Sequence, residues 1–225
     1  LTAGDFTARH YLAGALLAAR ELPMLSGTAA LKAGLRTDWT HRDGAKLAPI
    51  VGLTYSNVDN TAQYALDVTK THQVPGYTAL KSPEQGLFGG NPELGFETAT
   101  QASVSYARQY GAGRVSIAGF LRKDQDLVDW TYSRAQPFSR QANSVDMTVG
   151  GIELLGSWNS RRLRITLGAT FLTKQADYAN ADVNASFYAL NYPERLLTAG
   201  IVWQATEQVS IHLDQAYRYQ AENPL

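Results

Sequence analysis

From Ala30 to Trp39, the residues Leu31, Ala33, Leu35, Thr37 and Trp39 alternate with Lys32, Gly34, Arg36 and Asp38. A period of two with so sharp a division predicts a strand with one apolar and one polar face. The pattern repeats from Lys46 to Ser56, where Leu47, Pro49, Val51, Leu53 and Tyr55 share a side, and again at Ala62, Tyr64, Leu66 and Val68, opposite Gln63, Asp67 and Thr69. Further along, Ala102, Val104 and Tyr106 face away from Gln101, Ser103 and Ser105, and a long strand runs from Val115 through Ile117 and Leu121 to about Trp130 and Tyr132. Ile152, Leu154 and Trp158 oppose Glu153; Leu163, Ile165, Leu167, Ala169 and Phe171 oppose Arg164, Thr166, Gly168 and Thr170. Leu197, Ala199, Ile201 and Trp203 lead into a turn, and Val209, Ile211, Leu213, Tyr217 and Tyr219 lead back, with Ser210, His212, Asp214 and Arg218 opposite. The first segment, Thr7 to Glu21, fits an Ala-rich amphipathic helix or a strand, and is read as a strand because the rest of the chain is strand. The count is about ten strands of roughly ten residues or more.

The connections carry a second pattern. Pro23 to Gly27, His41 to Ala45, Val58 to Asn60, Gly111 to Gly113, Asn159 to Arg161 and Ala205 to Gln208 are short; Val74 to Gly95, Ser133 to Asn143 and Asp177 to Pro193 are long. From Val58 onward, short and long alternate strictly. Tight turns at one end and long loops at the other is how a membrane β-barrel is strung. A soluble β-sandwich alternates in the same way along each strand, and its polar charges would be solvated where a barrel's would line a wet lumen. Trp39, Tyr55, Tyr106, Trp130, Trp158, Trp203 and Tyr217 at or near strand ends favour the barrel, since amphipathic rings suit a membrane interface.

The stretch Gly86 to Thr98, GLFGGNPELGFET, separates two alternating runs. Its Gly90-Asn91-Pro92-Glu93-Leu94 followed by Glu97-Thr98 resembles the G-N-P-x-L-x-P-E-T loop of TonB-dependent outer-membrane receptors. The approach His72 to Leu80, with Pro75 and Leu80, is similar to the family's entry into that loop, and Phe96 departs from it where the family usually has Pro. The resemblance implies an all-β fold: an antiparallel up-and-down transmembrane barrel of roughly 22 strands, of which about ten are present, with an N-terminal plug domain absent. It also implies location in the outer membrane of a Gram-negative-type bacterium. The expected domain is residues 1–225 as a partial barrel, incomplete at both ends, since the chain begins at Leu1 and ends at Asn223-Pro224-Leu225.

Composition sharpens this picture. Charged residues are 18%, below the about 25% of soluble chains, and the 12 Tyr and 4 Trp outnumber the 7 Phe. With 20 basic and 20 acidic residues there is no net field to attract nucleic acid, which is set aside as a partner. The absence of cysteine excludes disulfides, thiolate zinc sites and a Cys nucleophile. No run approaches the length of a membrane-spanning helix.

Catalytic chemistry finds little support. His10, His41, His72 and His212 lack metal-ligand spacing, and no metal or cofactor is expected. Ser210 and His212 share a face without an acid partner or oxyanion donors. Asp124, Asp126 and Asp129 suggest a solvated acidic rim, since they lack the ordered pattern of a calcium loop. The glycines of Gly86 to Gly90 precede no Lys-Ser/Thr of a phosphate loop. The expectation is no enzyme.

What remains is recognition. Tyr77, Phe88, Phe138, Tyr178, Tyr188 and Tyr192, with Phe187, sit on the long loops and are the candidate ligand contacts. Lys32, Arg36, Asp38, Asp67, Glu153, Arg164, His212, Asp214 and Arg218 are the candidate lumen lining. Gly90, Asn91, Pro92, Leu94 and Glu97 form the loop motif, as shaping residues. The resemblance implies uptake of a scarce solute of siderophore, cobalamin or glycan type, energised by the TonB complex through the plug. The partners are thus outer-membrane lipid, an extracellular solute and TonB. A passive porin or adhesin-like barrel is the alternative, and a soluble β-sandwich binding module a third.

Overall fold

The computed structural model describes residues 10–83, 87–133, 135, 138–178 and 192–220, with 185–186 as backbone. Each alternating run is a strand: β1 (Tyr11–Met24), β2 (Gly27–Thr40), β3 (Gly44–Asn57) and β4 (Ala62–Gln73) lead to a short helix, α1 (Tyr77–Lys81), and a two-residue strand, β5 (Phe88–Gly89). Then come β6 (Glu97–Tyr110), β7 (Gly113–Tyr132), β8 (Arg140–Asn159), β9 (Leu163–Asp177), the two-residue β10 (Ala185–Ser186), β11 (Pro193–Gln204) and β12 (Ser210–Gln220). The ten long strands form one antiparallel meander in chain order. Among the described residues there is no second sheet across which a sandwich could bury its apolar face.

The helical alternative for Thr7 to Glu21 does not hold: from Tyr11 to Met24 every residue pairs with β2. That ladder overrides the helix propensity of its alanines; residues 7–9 lie outside the described residues. Turns sit where the chain supplies positive φ, at Gly44 (φ 71°), Asn60 (φ 52°) and Gly111 (φ 53°). The polar stretch from Ser133 is shorter than expected, because β8 already begins at Arg140.

All short turns but one lie at one end of the sheet, the turn end; the His41 to Asp43 turn lies with the three long loops at the other, the loop end. The register assigns the faces. Leu31, Leu53, Leu66, Val104, Gly119, Ile152, Phe171, Arg195 and Tyr219 are consecutive cross-strand partners on one face. That face is exposed, Leu16 at 80% and Val104 at 60%, so its side chains project away from the chain instead of forming a core.

Two diagonals of aromatic and basic residues bound this apolar face. At the turn end, Tyr55 lies on the row of Leu197, six strands away, yet the aromatic on that strand is Trp203, six residues further along. With strand spacing of about 4.8 Å and rise of about 3.3 Å per residue, this line slopes at about 35° to the strand perpendicular. Arg20, Arg108 and Trp158 fall on the same line. At the loop end, Tyr219 on β12 and Trp39 on β2 are eight strands and eight residues apart by the same count, again about 35°, and His72 and Lys123 lie on that line. The two lines are parallel, about nine residues apart along each strand, so the apolar band between them is about 25 Å tall.

Beyond the band, β7 and β8 continue as a hairpin. Pairing of β6 to β7 ends at Thr98 with Gln125, and pairing of β8 to β9 ends at Asp146 with Asp177. The free edges of the projecting hairpin are taken up from both sides: β5 pairs parallel with β8 at Arg140 and Gln141, and β10 pairs antiparallel with β7 at Thr131 and Tyr132. Each short strand comes from the loop on the opposite flank, so the two loops cross over the hairpin.

This cross-strapping predicts a disulfide in a chain that has no native cysteine. The double variant Phe88→Cys with Arg140→Cys, partners in the parallel pair, is expected to crosslink on mild oxidation, read by mass spectrometry of proteolytic fragments. Phe88→Cys with Ser144→Cys, further down the same strand, is expected to remain reduced.

Candidate functional site

The loop that carries the glycine and asparagine motif is built as a latch. The Gly90 N–H donates to the Ser82 carbonyl (3.1 Å) and the Asn91 N–H to the Ala79 carbonyl (2.7 Å), fastening the segment to α1. A Cβ at Gly90 would lie 2.7 Å from Ser82 N and 2.8 Å from Ser82 O, so this close approach requires glycine. The Asn91 side chain accepts the Glu93 N–H (2.9 Å), turning the chain through Pro92. Leu94 is buried with Ala79, Leu80 and Ala142, packed against Val128 and Trp130 of the hairpin. The Arg42 guanidinium donates to the Leu94 carbonyl from the β2–β3 turn. Phe96, where the family pattern would carry Pro, is buried with its ring edge-on to His72.

Behind the latch lies a chamber of about 830 Å³ on the polar face, walled by β4, β6, β7, β8, β9 and α1. Its polar lining includes Gln73, Glu97, Gln101, Arg122, Asp124 and Lys174; its apolar lining includes Phe120, Trp130, Met147 and Leu172. A β-bulge between Asp124 and Leu127, with Asp126 at φ 55°, bends β7 where it leaves the band. Asp124 is buried and held by Arg122 at 2.7 Å. Glu97 lies two residues beyond the loop-end line. Burial, with Asp124 close by, pushes its carboxyl up to about 7, while the Val128 N–H and Arg122 pull the other way. Burial also holds the Lys174 ammonium below the usual lysine range; it stands 4.6 Å over the Tyr192 ring. The chamber thus offers fixed charges of both signs, one carboxyl that titrates near neutrality, and aromatic and aliphatic surface.

A second constellation lies on the polar face of the first two strands. Arg36 grips the fully buried Asp38 with its Nε and Nη2 (2.7 Å), and the Tyr11 hydroxyl donates to the same carboxylate. The other expected lining residues, Lys32, Asp67, Glu153, Arg164, His212, Asp214 and Arg218, all stand on this face by the register. Glu153 reaches the chamber; Arg164 sits at the turn end of β9, and His212, Asp214 and Arg218 on β12, all outside its lining.

The loop aromatics separate into two groups. Phe138 is exposed, Tyr77 and Phe88 half exposed, and Phe88 meets Trp130 edge-on at 5.2 Å. Tyr178 is half-buried and Tyr192 is buried under Lys174. Tyr188 and Phe187 lie outside the described residues, as does Gly86. Trp130, expected at an interface, instead packs under α1 because β7 runs beyond the band.

The solvated acidic rim is also corrected. Asp124 and Asp129 are buried, and the three carboxylates turn to different partners: Arg122, the Ser144 hydroxyl for Asp126, and the Trp130 N–H for Asp129. Among the described residues no group of three acidic or histidine side chains could hold a metal ion. Ser210 and His212 touch at 3.2 Å on an exposed edge strand at the turn end, far from the chamber. Sequence reasoning passed over Arg122, Lys174, Gln73 and Tyr11. Carrying the alternation of β7 and β9 past Leu121 and Phe171 would have placed Arg122 and Lys174 on the polar face.

The chain matches the family described as TonB dependent receptor-like, beta-barrel, over residues 19–224. Among solved structures it is similar to the siderophore receptor PirA from Pseudomonas aeruginosa, at 17% identity and TM-score 0.69, over 93% of this chain and 38% of that one. It is likewise similar to the FrpB iron transporter from Neisseria meningitidis (13%, TM-score 0.66, 93% and 33%) and to the copper transporter OprC (14%, TM-score 0.61, 88% and 34%). At such identities the likeness is one of fold, and the chain spans between a third and two fifths of those proteins' length. No curated protein sequence matches.

Two outcomes follow from the latch and the chamber. Gly90→Val is expected to loosen α1 and the motif by about 1–3 kcal/mol, read as faster amide exchange at Gly90 and Asn91 with strand amides unchanged. Because the folded chain holds the Glu97 proton more tightly than the unfolded chain, its contribution is full below the ordinary carboxyl range. It is lost as pH rises through about 7. Protection factors of the loop are therefore expected to fall from about pH 5 to about pH 8 and to be flat in Glu97→Gln.

Proposed function

The chain belongs to the TonB-dependent receptor-like β-barrel family, and from that membership we propose that it forms part of an outer-membrane receptor that takes up a scarce solute with energy delivered by TonB. The observation that carries this reading is the apolar band, about 25 Å tall and bounded by parallel diagonals of aromatic and basic residues, which has the dimensions of a barrel wall in hydrocarbon. The loop end, with its latch and chamber, faces the outside medium; the turn end faces the periplasm. Residues 1–225 supply ten strands of the wall, and the open edges of β1 and β12 are where the remaining strands of a larger barrel continue it. The polar face from Lys32 to Arg218 lines the lumen.

Exposed aromatics at the loop end, Tyr77, Phe88 and Phe138, make first contact with the solute, joined by Tyr178 and Tyr188. The chamber then offers it Gln73, Gln101, Arg122 and Lys174. A plug domain seated against the polar face would couple to TonB and open the path. No covalent chemistry is part of this reading. The similar structures named for siderophores, iron and copper favour a metal-chelate solute over cobalamin or a glycan. A passive porin is the second reading; the latch that fixes the loop over the chamber disfavours it, since a porin needs an open lumen.

Uptake tests the choice. In cells carrying the full-length protein, accumulation of the labelled solute is expected to stop when TonB is deleted or the proton motive force collapsed; undiminished uptake would mark a passive pore. The wall itself is tested by Val104→Arg, at mid-band on the apolar face, which is expected to lower the folding stability of the full-length protein in vesicles by about 2–4 kcal/mol. Ser103→Arg, its neighbour on the polar face, is expected to cost a small fraction of that.

A further inference from the structure

The apolar face is not uniform. Near the turn end, across the bounding line, a groove of about 290 Å³ opens between Tyr110, Val115, Trp158, Ile165 and Leu167. Its floor is backbone: Gly156 is the cross-strand partner of both Val115 and Leu167, and a Cβ there would meet nothing within 4 Å. A glycine in mid-strand forgoes side-chain packing, and here it leaves a slot where the neighbouring rows present bulky side chains.

The slot has a charged neighbour. Arg108 is the cross-strand partner of Val115, projects from the same face and is exposed. Its guanidinium carbon stands 4.9 Å over the ring of Tyr110, which lines the groove. The Tyr110 face and a hydrogen bond with Tyr106 hold the guanidinium beside the groove, on the bounding line, where a headgroup would lie. An apolar slot running into the band with a cation stacked on one of its lining rings is complementary to an amphiphile with an anionic head.

We propose that this groove is a binding site for one diacyl phospholipid of the periplasmic leaflet with an anionic headgroup. One acyl chain lies over Gly156, between Val115, Leu167 and Trp158, and the phosphate is held by Arg108. The site rests on the reading that the apolar band meets lipid. It adds a specific, stoichiometric lipid to what would otherwise be a wall wetted by any acyl chain. The charge-assisted bond between guanidinium and phosphate gives the headgroup preference, and the missing side chain at Gly156 gives the chain its seat.

The test uses full-length protein, delipidated in detergent and titrated with phosphatidylglycerol, with bound lipid counted by native mass spectrometry. One saturable phosphatidylglycerol per chain at this site is expected, with diacylglycerol binding far more weakly. Arg108→Gln is expected to weaken it by about tenfold, and Gly156→Leu, which fills the slot, to abolish it. Gly156→Ala, whose single methyl leaves most of the slot open, is expected to retain binding. Arg20→Gln, which removes the same charge on the same line but away from the groove, is expected to leave affinity unchanged. Equal binding by Arg108→Gln and Gly156→Leu, equal affinity for diacylglycerol, or pairing of two protein copies through this face in place of a lipid adduct would overturn the site while leaving the membrane wall intact. Recovery of the full-length protein in the aqueous phase without detergent would instead remove the membrane wall, and the site with it.

Discussion

An unpaired peptide N–H or C=O in hydrocarbon costs several kcal/mol, so a wall that crosses a membrane must pair every backbone group within itself. The ten long strands meet most of that demand by antiparallel ladders, each strand bonded to the next in chain order. Between β3 and β4 the ladder runs only from Ile50–Thr69 to Ser56–Gln63, and toward the loop end the His72 ring bonds the Leu47 carbonyl at 3.0 Å. Once the backbone is paired, the side chains sort by alternation alone: apolar residues to one face, Arg36, Asp38, Arg122 and Asp124 to the other. The strands then slope, and the aromatic and basic residues at the borders of the band fall on diagonals that record the slope. From Tyr55 to Trp203 and from Trp39 to Tyr219 the two borders keep the same angle, which independent turn residues would have no reason to share.

The same demand explains the loop end. Above the band, β7 and β8 outrun β6 and β9, and their outer edges would stand open. β10 and β5 close those edges, each delivered by a loop from the opposite flank, and a small apolar cluster of Ala79, Leu80, Leu94 and Ala142 forms beneath the crossing. The glycine, asparagine and leucine of the motif serve this crossing: Gly90 permits the close approach to Ser82, Asn91 bonds α1, and Leu94 supplies the buried anchor. A fixed loop leaves a defined chamber behind it, where Glu97, Arg122, Asp124 and Lys174 are partly withdrawn from water. The recognition surface is therefore a product of edge protection as much as of ligand chemistry.

The wall was legible in the sequence because its determinant is local. Alternation at a period of two assigns both strand and face, and the turns at Gly44, Asn60 and Gly111 announce themselves by residue type. The loop end was legible only in part, because its determinants are distant in sequence. Phe88 pairs with Arg140 across more than fifty residues, and neither carries a local signal of strand pairing. Trp130 reads as an interfacial ring from its place near a strand end, until the extension of β7 puts it under a helix. Asp124 and Asp129 read as solvated until the bulge and the crossing loops bury them. Thr7 to Glu21 was undecided because alanine suits a helix in isolation, whereas fourteen consecutive pairs with β2 settle the matter for Tyr11 to Met24.

The central claim is that one face of this sheet meets hydrocarbon and the other water, between borders that slope across the strands. Spin labels placed one at a time along β6, from Glu97 to Tyr110, in the full-length protein in bilayers measure this directly through collision with oxygen and with a water-soluble nickel chelate. Strict alternation is expected: oxygen collisions dominant at Ala102, Val104 and Tyr106 and deepest near Val104, with nickel collisions dominant at Gln101, Ser103 and Ser105. Equal access of the two reagents at neighbouring positions, or nickel collisions at Val104, would contradict it.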